Sequence, residues 1–476
     1  MLLMVETLPK QFKKNASRQL ADEDLRKALT KSKGHFTGGR QKAIDNLPEF
    51  DSLRDKARDI KDHVLENLDF YLEEYEQKVI STGGKVHWAS TKEDVQNTVL
   101  EICRSVNATS VNKGKSMIGE ECDINEALEN SGIRAVETDL GEYIIQIRDE
   151  RPSHIIAPAV HLTKSQVEKS FRETHTHLDP QRILEEPPTL LEEARTVLRG
   201  KYFEAQVGIT GANFLVAETG SSIIVTNEGN GDLSQLLPKV HIVLASIEKI
   251  VPSLEDASTL LRVLARSATG QEFSVYTTVS TGPRRKADLD GPEEYHVILL
   301  DNGRTNMLGT EFQDMLRCIR CGACMNHCPV YQSVGGHAYG WVYPGPMGAV
   351  LTPSLLGVDE AGHLPNASTF CGRCEEVCPV RIPLPKLMRH WRQREFESHL
   401  TPKFARYGIK LWAYLVKRPS LYKWVMGVQV KILFLLGKRQ GRFSSLPFAG
   451  GWTKYREFPA PEGKTFQQLW SESSNE

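Results

Sequence analysis

Between residues 53 and 79, apolar side chains recur at helical spacing (Ile60, Val64, Leu65, Leu68, Tyr71, Leu72, Tyr75, Val79), with charged residues between them and Gly83-Gly84 after them. A 3.6-residue period of that length predicts one long amphipathic helix. Downstream the period keeps changing. Residues 93–106, 125–131, 164–173, 190–202 and 257–267 predict helices, whereas 143–147, 154–160, 214–217, 222–226, 240–245 and 296–301 are short apolar runs that predict strands. Helices alternating with runs this apolar predict an α/β domain whose central sheet is covered on both faces, ending near Arg304.

The two ends of the chain differ from this pattern. Residues 1–50 are polar and basic and predict an arm with one helix around Asp22 to Leu29 and little core. No acidic residue stands between Glu397 and Glu457, where Lys403, Arg406, Lys410, Lys417, Arg418, Lys423, Lys431, Lys438, Arg439, Arg442, Lys454 and Arg456 alternate with aromatics such as Trp412, Tyr422, Trp424 and Trp452. The most apolar part, 424–437, contains Lys431 and is shorter than the roughly 20 residues of a bilayer crossing, so no span is expected. Docking on an acidic partner subunit is the first expectation for this tail, and peripheral contact with an anionic membrane the second.

A chain of 476 residues exceeds one ordinary core, so two or three domains are expected. With a formal net charge of -1, bulk charge names no partner and gives no sign of nucleic-acid binding. Lys10, Lys13, Lys14 and Arg18 interrupt the only stretch that could form an export leader, so a cytoplasmic protein is expected, with peripheral contact at the inner membrane face as the alternative.

Cysteine changes the picture. Cys103 and Cys122 stand alone and read as small buried residues, but the other seven of the nine lie between Cys318 and Cys378. In a chain that stays in a reducing compartment, such crowding points to metal rather than disulfides. Cys318-Ile-Arg-Cys321-Gly-Ala-Cys324-Met-Asn-His-Cys328-Pro329 has the bacterial ferredoxin spacing, in which three thiolates grip one cube and the fourth reaches a neighbouring cluster. Zinc sites generally use two separated pairs. The second motif, Cys371-Gly-Arg-Cys374-Glu-Glu-Val-Cys378-Pro379, repeats the last three positions and puts Ser368 where its first cysteine would fall.

Crossed ligation then gives Cys318, Cys321, Cys324 and Cys378 to one [4Fe-4S] cluster, and Cys328, Cys371 and Cys374 to a second. The second lacks a thiolate. Ser368, a histidine such as His363, an external ligand or a three-iron [3Fe-4S] cluster each satisfy that gap on spacing alone, and Ser368 also reads plainly as a turn serine. Between the motifs, the glycine- and aromatic-rich residues 335–348 either aim amide N–H groups at cluster sulfurs or simply cover the clusters.

In the α/β part, Glu218 and Glu228 fall at strand ends, where such sheets build sites, and are the two catalytic candidates. Their plain reading is loop hydrogen bonding. No dinucleotide fingerprint is present, and His154, His161, His175 and His177 lack the helical spacing of a metal site.

With these residues in view, the chain resembles the lactate utilization protein B family over nearly its whole length. The resemblance rests on Lys115-Ser-Met-Ile-Gly-Glu-Glu, Glu137-Thr-Asp-Leu-Gly-Glu-Tyr-Ile-Ile-Gln, Pro152-Ser-His-Ile, the Gly208 and Glu218 segments, Asp301-Asn-Gly-Arg304 and both cysteine motifs. It implies an α/β lactate-utilization domain of the sugar-isomerase and CoA-transferase-like class (51–304) after the polar arm (1–50). An α-helical ferredoxin-like module with two [4Fe-4S] clusters (305–396) and a helical, basic C-terminal region (397–476) follow. It further implies oxidation of L-lactate to pyruvate, alongside a cysteine-rich subunit and a smaller lactate-utilization subunit. Three roles remain open at this point: an electron-transfer subunit, a domain that itself binds and dehydrogenates the hydroxy acid, or an acyl- or CoA-transfer enzyme with structural clusters. Fold alone does not choose among them.

Overall fold

The computed structural model describes residues 9–446, 450–453 and 456–474; Lys454, one of the tail cations, lies outside them. The chain forms two compact units, one up to Glu395 and one from Phe396 onward.

The first unit is built on a six-stranded, wholly parallel sheet. Its strands are β1 (Lys85–Ala89), β2 (Ser110–Lys113), β3 (Arg134–Glu137) and β4 (Val207–Gly211), with two more, Val240–Ser246 and Glu294–Leu300, in the order β1, 294–300, 240–246, β4, β2, β3. Alternation of side chains sends Ile242, Leu244 and Ile298 to one face, against Val95, Val99 and Ile102, and Val243, Val297 and Leu299 to the other, against Leu68, Leu72 and Tyr75. Both faces are therefore buried at Val240–Ser246 and Glu294–Leu300, which explains why these two are apolar runs; β1 to β4 are shorter and more mixed in sequence and lie outside the runs expected to be strands. Chain order turns back at β2: β3 pairs on one side of it and β4 on the other. That reversal opens a crevice at the carboxyl ends of β2 and β4. A smaller sheet of Phe214–Val216, Ser221–Thr226, Ile250–Val251 and Tyr276–Ser280 packs beside it.

Local chemistry sets the helix ends. Thr91 and Asp94 form a reciprocal capping box at the start of Lys92–Ser105, and Ser253 accepts the amide of Asp256 at the start of Leu254–Ala268. Three of the expected elements take another form in the structure. The long helix is two, Phe50–Glu66 and Leu68–Ser81, because the backbone leaves the helical region at Asn67, whose side-chain amide donates to the His63 carbonyl. Residues 143–147 lie in a helix, Leu140–Ile147, because the Asp139 carboxylate accepts the amides of Gly141 and Glu142 and starts a turn that an apolar pentapeptide alone does not announce. Residues 154–160 form an irregular loop bounded by Pro152 and Pro158.

The N-terminal segment holds the expected helix, longer than expected, and buries several residues. It folds into Phe12–Leu20 and Glu23–Asp45, the latter capped by Asp22, and buries Leu25, Leu29 and Arg40. Its apolar positions are too widely spaced to be conspicuous in the sequence, yet they pack on the cysteine-rich part: Phe12 meets the Tyr339 ring edge-on, and Leu25 lies against Gly335. The boundary expected near Arg304 is not a gap, since Arg304 is fully buried and the residues on either side share one core.

The second unit contains helices Lys403–Val416 and Pro419–Gly437, a short antiparallel pair (Arg442–Phe443 with Phe458–Pro459) and helix Phe466–Ser473. By length and composition, Pro419–Gly437 is the one described helix apolar enough to cross a membrane, against the shorter stretch expected from sequence. The difference is Pro419, which starts the helix five residues before Trp424, since proline is tolerated in a first turn.

Candidate redox site and adjoining cleft

The two cysteine motifs adopt the same backbone, offset by fifty positions. Gly322 (φ 73°) and Gly372 (φ 81°) each cap a one-turn helix, Ala323–Asn326 and Arg373–Glu376. The amides of Met325 and Asn326 donate to the Gly322 carbonyl as those of Glu375 and Glu376 donate to that of Gly372. The match extends one residue upstream of Cys321 and Cys371, where Arg320 (φ 59°) and Phe370 (φ 54°) are both left-handed. Positive φ is costly for such side chains, so the loop geometry is imposed by what it must hold. The register of Cys318 is thus continued to Ser368, although the thiol is not.

The thiols gather in the crossed manner. Cys321 is influenced by Cys378 and Cys318, whereas Cys374 is influenced by Cys328 and Cys371; Cys324 faces its own group first and Cys374 as well. Cys318, Cys321, Cys324 and Cys378 line one small cavity walled by Ile155, Ile319, Met347 and Ile382. All seven are free thiols. Among the described residues no three histidine, cysteine or carboxylate side chains meet around a point for a single ion. The four thiols of the first group line a small cavity instead.

Burial raises Cys321, Cys324, Cys328, Cys374 and Cys378, to about 11 for Cys378 and about 12 for Cys374, with neighbouring cysteines adding to the effect. Several sulfurs also accept amide hydrogen bonds, Cys378 from Ile382 at 3.4 Å and Cys328 from Tyr331 and Val330. Crowded buried thiolates are stable only with cations between them. The donor set fits an iron–sulfur cluster. Burial also raises Cys103, to about 12, and Cys122, and neither belongs to this group.

Around the first group stands a buried cationic network. Arg304 donates Nη1 and Nη2 to the two oxygens of Glu121 (3.0 and 2.7 Å) and its Nε lies 3.1 Å from Glu248. The Tyr343 hydroxyl donates to Glu121 at 2.6 Å. Arg320 donates Nη2 to Glu248, and Lys61 donates to the Glu248 carbonyl. Burial opposes the charge on Arg320, but Cys318, Tyr343 and Glu248 outweigh it and raise its pKa. Burial lowers Lys61 to about 8 and Lys249 to about 7; Cys318 and Glu248 pull both in the other direction. Arg40 of Glu23–Asp45 donates to the Val377 carbonyl at 3.1 Å, and Arg54 of Phe50–Glu66 donates to those of Cys378 and Glu376. Only the fold brings these residues together, and nothing in their sequence spacing announces it.

A cleft of about 510 Å³ opens at the carboxyl edge of the parallel sheet, where chain order reverses. It is lined by Lys115 and Ser116 after β2, Asp139 after β3, Asn213 after β4, Lys249 beyond Val240–Ser246, and Arg320 and Tyr343 from the cysteine-rich part. Arg320 and Ile155 also line the cavity of the four thiols, so these two side chains border both spaces. Glu228 is at the cleft, where burial and then Asp139 raise its carboxyl and the Leu140 amide donates to it at 3.3 Å. Glu218 is elsewhere. It is exposed and accepts the Leu254 amide at 2.7 Å, at the first turn of a helix.

Of the eighth-ligand candidates, Ser368 Oγ accepts the Phe370 amide at 3.1 Å in a local turn, and His363 Nε2 lies 2.7 Å from the Pro9 carbonyl. The other histidines hold structure. His154 accepts the amides of Ile156 and Ala157 at Nδ1, which leaves Nε2 to donate to Asn326 at 3.0 Å, and its ring packs on Gly322 of the first cysteine motif. His175 lies between Glu193 and the Tyr143 hydroxyl, and His161 against Glu150.

Family comparison agrees with this arrangement along the chain. The LUD domain matches residues 72–300, the 4Fe-4S dicluster domain 314–382, and the C-terminal domain of lactate utilisation protein B 385–475. Lactate utilization protein B of Bacillus licheniformis is 43% identical over 98% of this chain and 97% of its own, and that of Bacillus subtilis is 41% identical over 97% and 96%. A protein of Escherichia coli K12 named as the uncharacterized electron transport protein YkgF is 41% identical over 98% of this chain and 97% of its own. A crystal structure of a DUF162 family protein from Deinococcus radiodurans overlaps 49% of this chain and 98% of its own at 16% identity, with a TM-score of 0.26, too low to bear on the fold.

Proposed function

Since the chain belongs to the lactate utilization protein B family, we propose that it is the iron–sulfur electron-transfer subunit of a complex that oxidises L-lactate to pyruvate. The observation that carries this reading is the crossed gathering of seven thiols in two adjoining groups, with Cys324 facing both. Cys318, Cys321, Cys324 and Cys378 would hold one [4Fe-4S] cluster, and Cys328, Cys371 and Cys374 a second with three or four irons. Clusters bound there supply reversible one-electron transfer.

The chain's own residues do the rest. Ile155, Ile319 and Met347 keep water from the first group, and the amides at Cys378 and Cys328 stabilise charge on sulfur. Cys371 is the exposed member of the seven, so the second group lies nearest the surface, where a partner can exchange electrons. The partners proposed are a cysteine-rich subunit and a smaller lactate-utilization subunit. Exposed Phe404, Trp412, Trp424 and Trp470, set among the tail cations, supply aromatic and arginine anchors for such docking.

The test is anaerobic mixing of the iron-loaded chain with L-lactate, alone and with both partner subunits, following cluster absorbance. Reduction only in the presence of the partners is expected. Reduction of the isolated chain would move dehydrogenation into the α/β domain, and thioester turnover would favour acyl transfer.

A further inference from the structure

We propose that the cleft at the β2–β4 reversal binds an organic carboxylate, its anionic head held by Arg320 and Lys249 directly beside the thiols of the first cluster group. Four observations carry the site. The cleft lies where strand order reverses at the carboxyl edge of a parallel sheet, the place such sheets leave open for ligands. Its volume of about 510 Å³ falls within the range of small-molecule sites.

Two of its lining groups, Arg320 Nη1 and Asn230 Nδ2, are donors without a hydrogen-bond partner among the described residues, although Arg320 is only 8% and Asn230 4% exposed. Buried donors of this kind are normally satisfied, and a free guanidinium edge matches a carboxylate.

The charges are sorted. Lys115 has Asp139 at 3.8 Å and the Ile156 carbonyl, so it is already engaged, and Asp139 and Glu228 make the far end acidic. At the cluster end Glu248 is shared by Arg304 and Arg320, and Lys249 has no carboxylate of its own in the cleft. Ile155, Ile224, Leu244 and Leu264 give the body of the acid an apolar wall. The volume exceeds what a three-carbon acid fills, so the selection is for the head group. The inference rests on the redox reading above for its purpose: a carboxylate at Arg320 sits one side chain from the four-thiol cavity.

The experiment uses the full, iron-loaded chain under anaerobic conditions, with L-lactate, pyruvate and the uncharged analogue lactamide as probes. Binding is followed by calorimetry and by the paramagnetic spectrum of the dithionite-reduced protein. Saturable binding of an acid, no binding of lactamide and a changed spectrum for one cluster only are expected. R320Q should weaken binding by about tenfold to a hundredfold, the value of a charge-assisted hydrogen bond. Because Arg320 adjoins the cysteines, Ala212→Phe gives an independent check: it fills the cleft from the sheet edge and should abolish binding with iron content unchanged. The proposal is overturned if neither acid saturates up to about 10 mM, if lactamide binds equally well, or if A212F binds normally. Failure of the redox reading looks different, as clusters that dithionite and a mild oxidant do not cycle, whatever the acids do.

Discussion

Arg320, between two cysteines of the first motif, donates Nη2 to Oε1 of Glu248 at 3.1 Å, and so ties the cluster loop to the end of a strand of the parallel sheet. The bond is buried on both sides, with side-chain exposures of 8% and 1%. Removing one partner of such a pair is costlier than the pair is stabilising, since the other charge is left desolvated.

The first prediction follows from that charge. Arg320→Gln should make the midpoint potential of the Cys318 group more negative by on the order of 50 mV, about 1 kcal/mol of charge interaction, because a buried cation favours the added electron. Potentiometric titration of the two paramagnetic signals checks it. Arg320→Lys should restore part of the shift, and movement of both signals together would show a loss of general integrity instead.

Cys324→Ser should deplete one cluster and Cys328→Ser the other, although only three residues separate them, because their thiols join different groups. Iron analysis with spectra of each variant decides. Loss of the same signal in both would refute the crossed assignment.

Ser368→Cys should place a thiol at the position that the left-handed Phe370 and Gly372 keep in register with Cys318. Slower iron loss from the second cluster under air is expected. An unchanged rate and spectrum would mean that the Phe370 turn holds residue 368 away from iron.

Acid should weaken the parallel sheet before pH 5 is reached. Burial, followed by the charge of His296, lowers His241 to about 3, and Thr210 Oγ1 lies 2.8 Å from its Nε2. Below an unfolded value of about 6.5, the unfolded chain binds a proton that the folded chain refuses, so stability falls as pH falls, by up to about 1.4 kcal/mol per unit. Urea midpoints at several values between pH 7.5 and 5.5 should decline, and His241→Asn should decline less steeply. Equal slopes would mean that His241 takes up its proton in the fold.

Removal of residues 400–476 should leave iron content near normal and abolish co-purification with the partner subunits, because the second unit carries none of the seven cysteines. Liposome flotation of the intact chain at low and high salt is the control. Retained assembly, with flotation of the intact chain on anionic lipid, would assign the tail to membrane contact.

What was legible in the sequence follows from how local each signal is. The cysteine spacing, the α/β alternation and the cores of the long helices depend on neighbours a few residues away and were readable. The helix at Leu140–Ile147 is not legible because a single capping carboxylate, Asp139, decides between two structures that an apolar pentapeptide allows equally. The cleft is half visible: Glu228 stands out in the sequence at a strand end, whereas Lys249, Arg320 and Asn230 do not. Their significance lies in burial and missing partners, and neither has a period. Glu218 looked equivalent to Glu228 by position, yet sits at a helix start outside the cleft.

The grip of Arg54 on the Cys378 carbonyl joins residues 324 positions apart. On the ribosome, the arginine emerges roughly tens of seconds before the cysteine it will hold. Cys318 must likewise wait for Cys378. Closure of the first iron site is therefore one of the last events in making the chain, and it needs both extremities of the unit at once. Deleting Phe50–Glu66 would remove no cysteine and still leave the Cys378 carbonyl without its arginine.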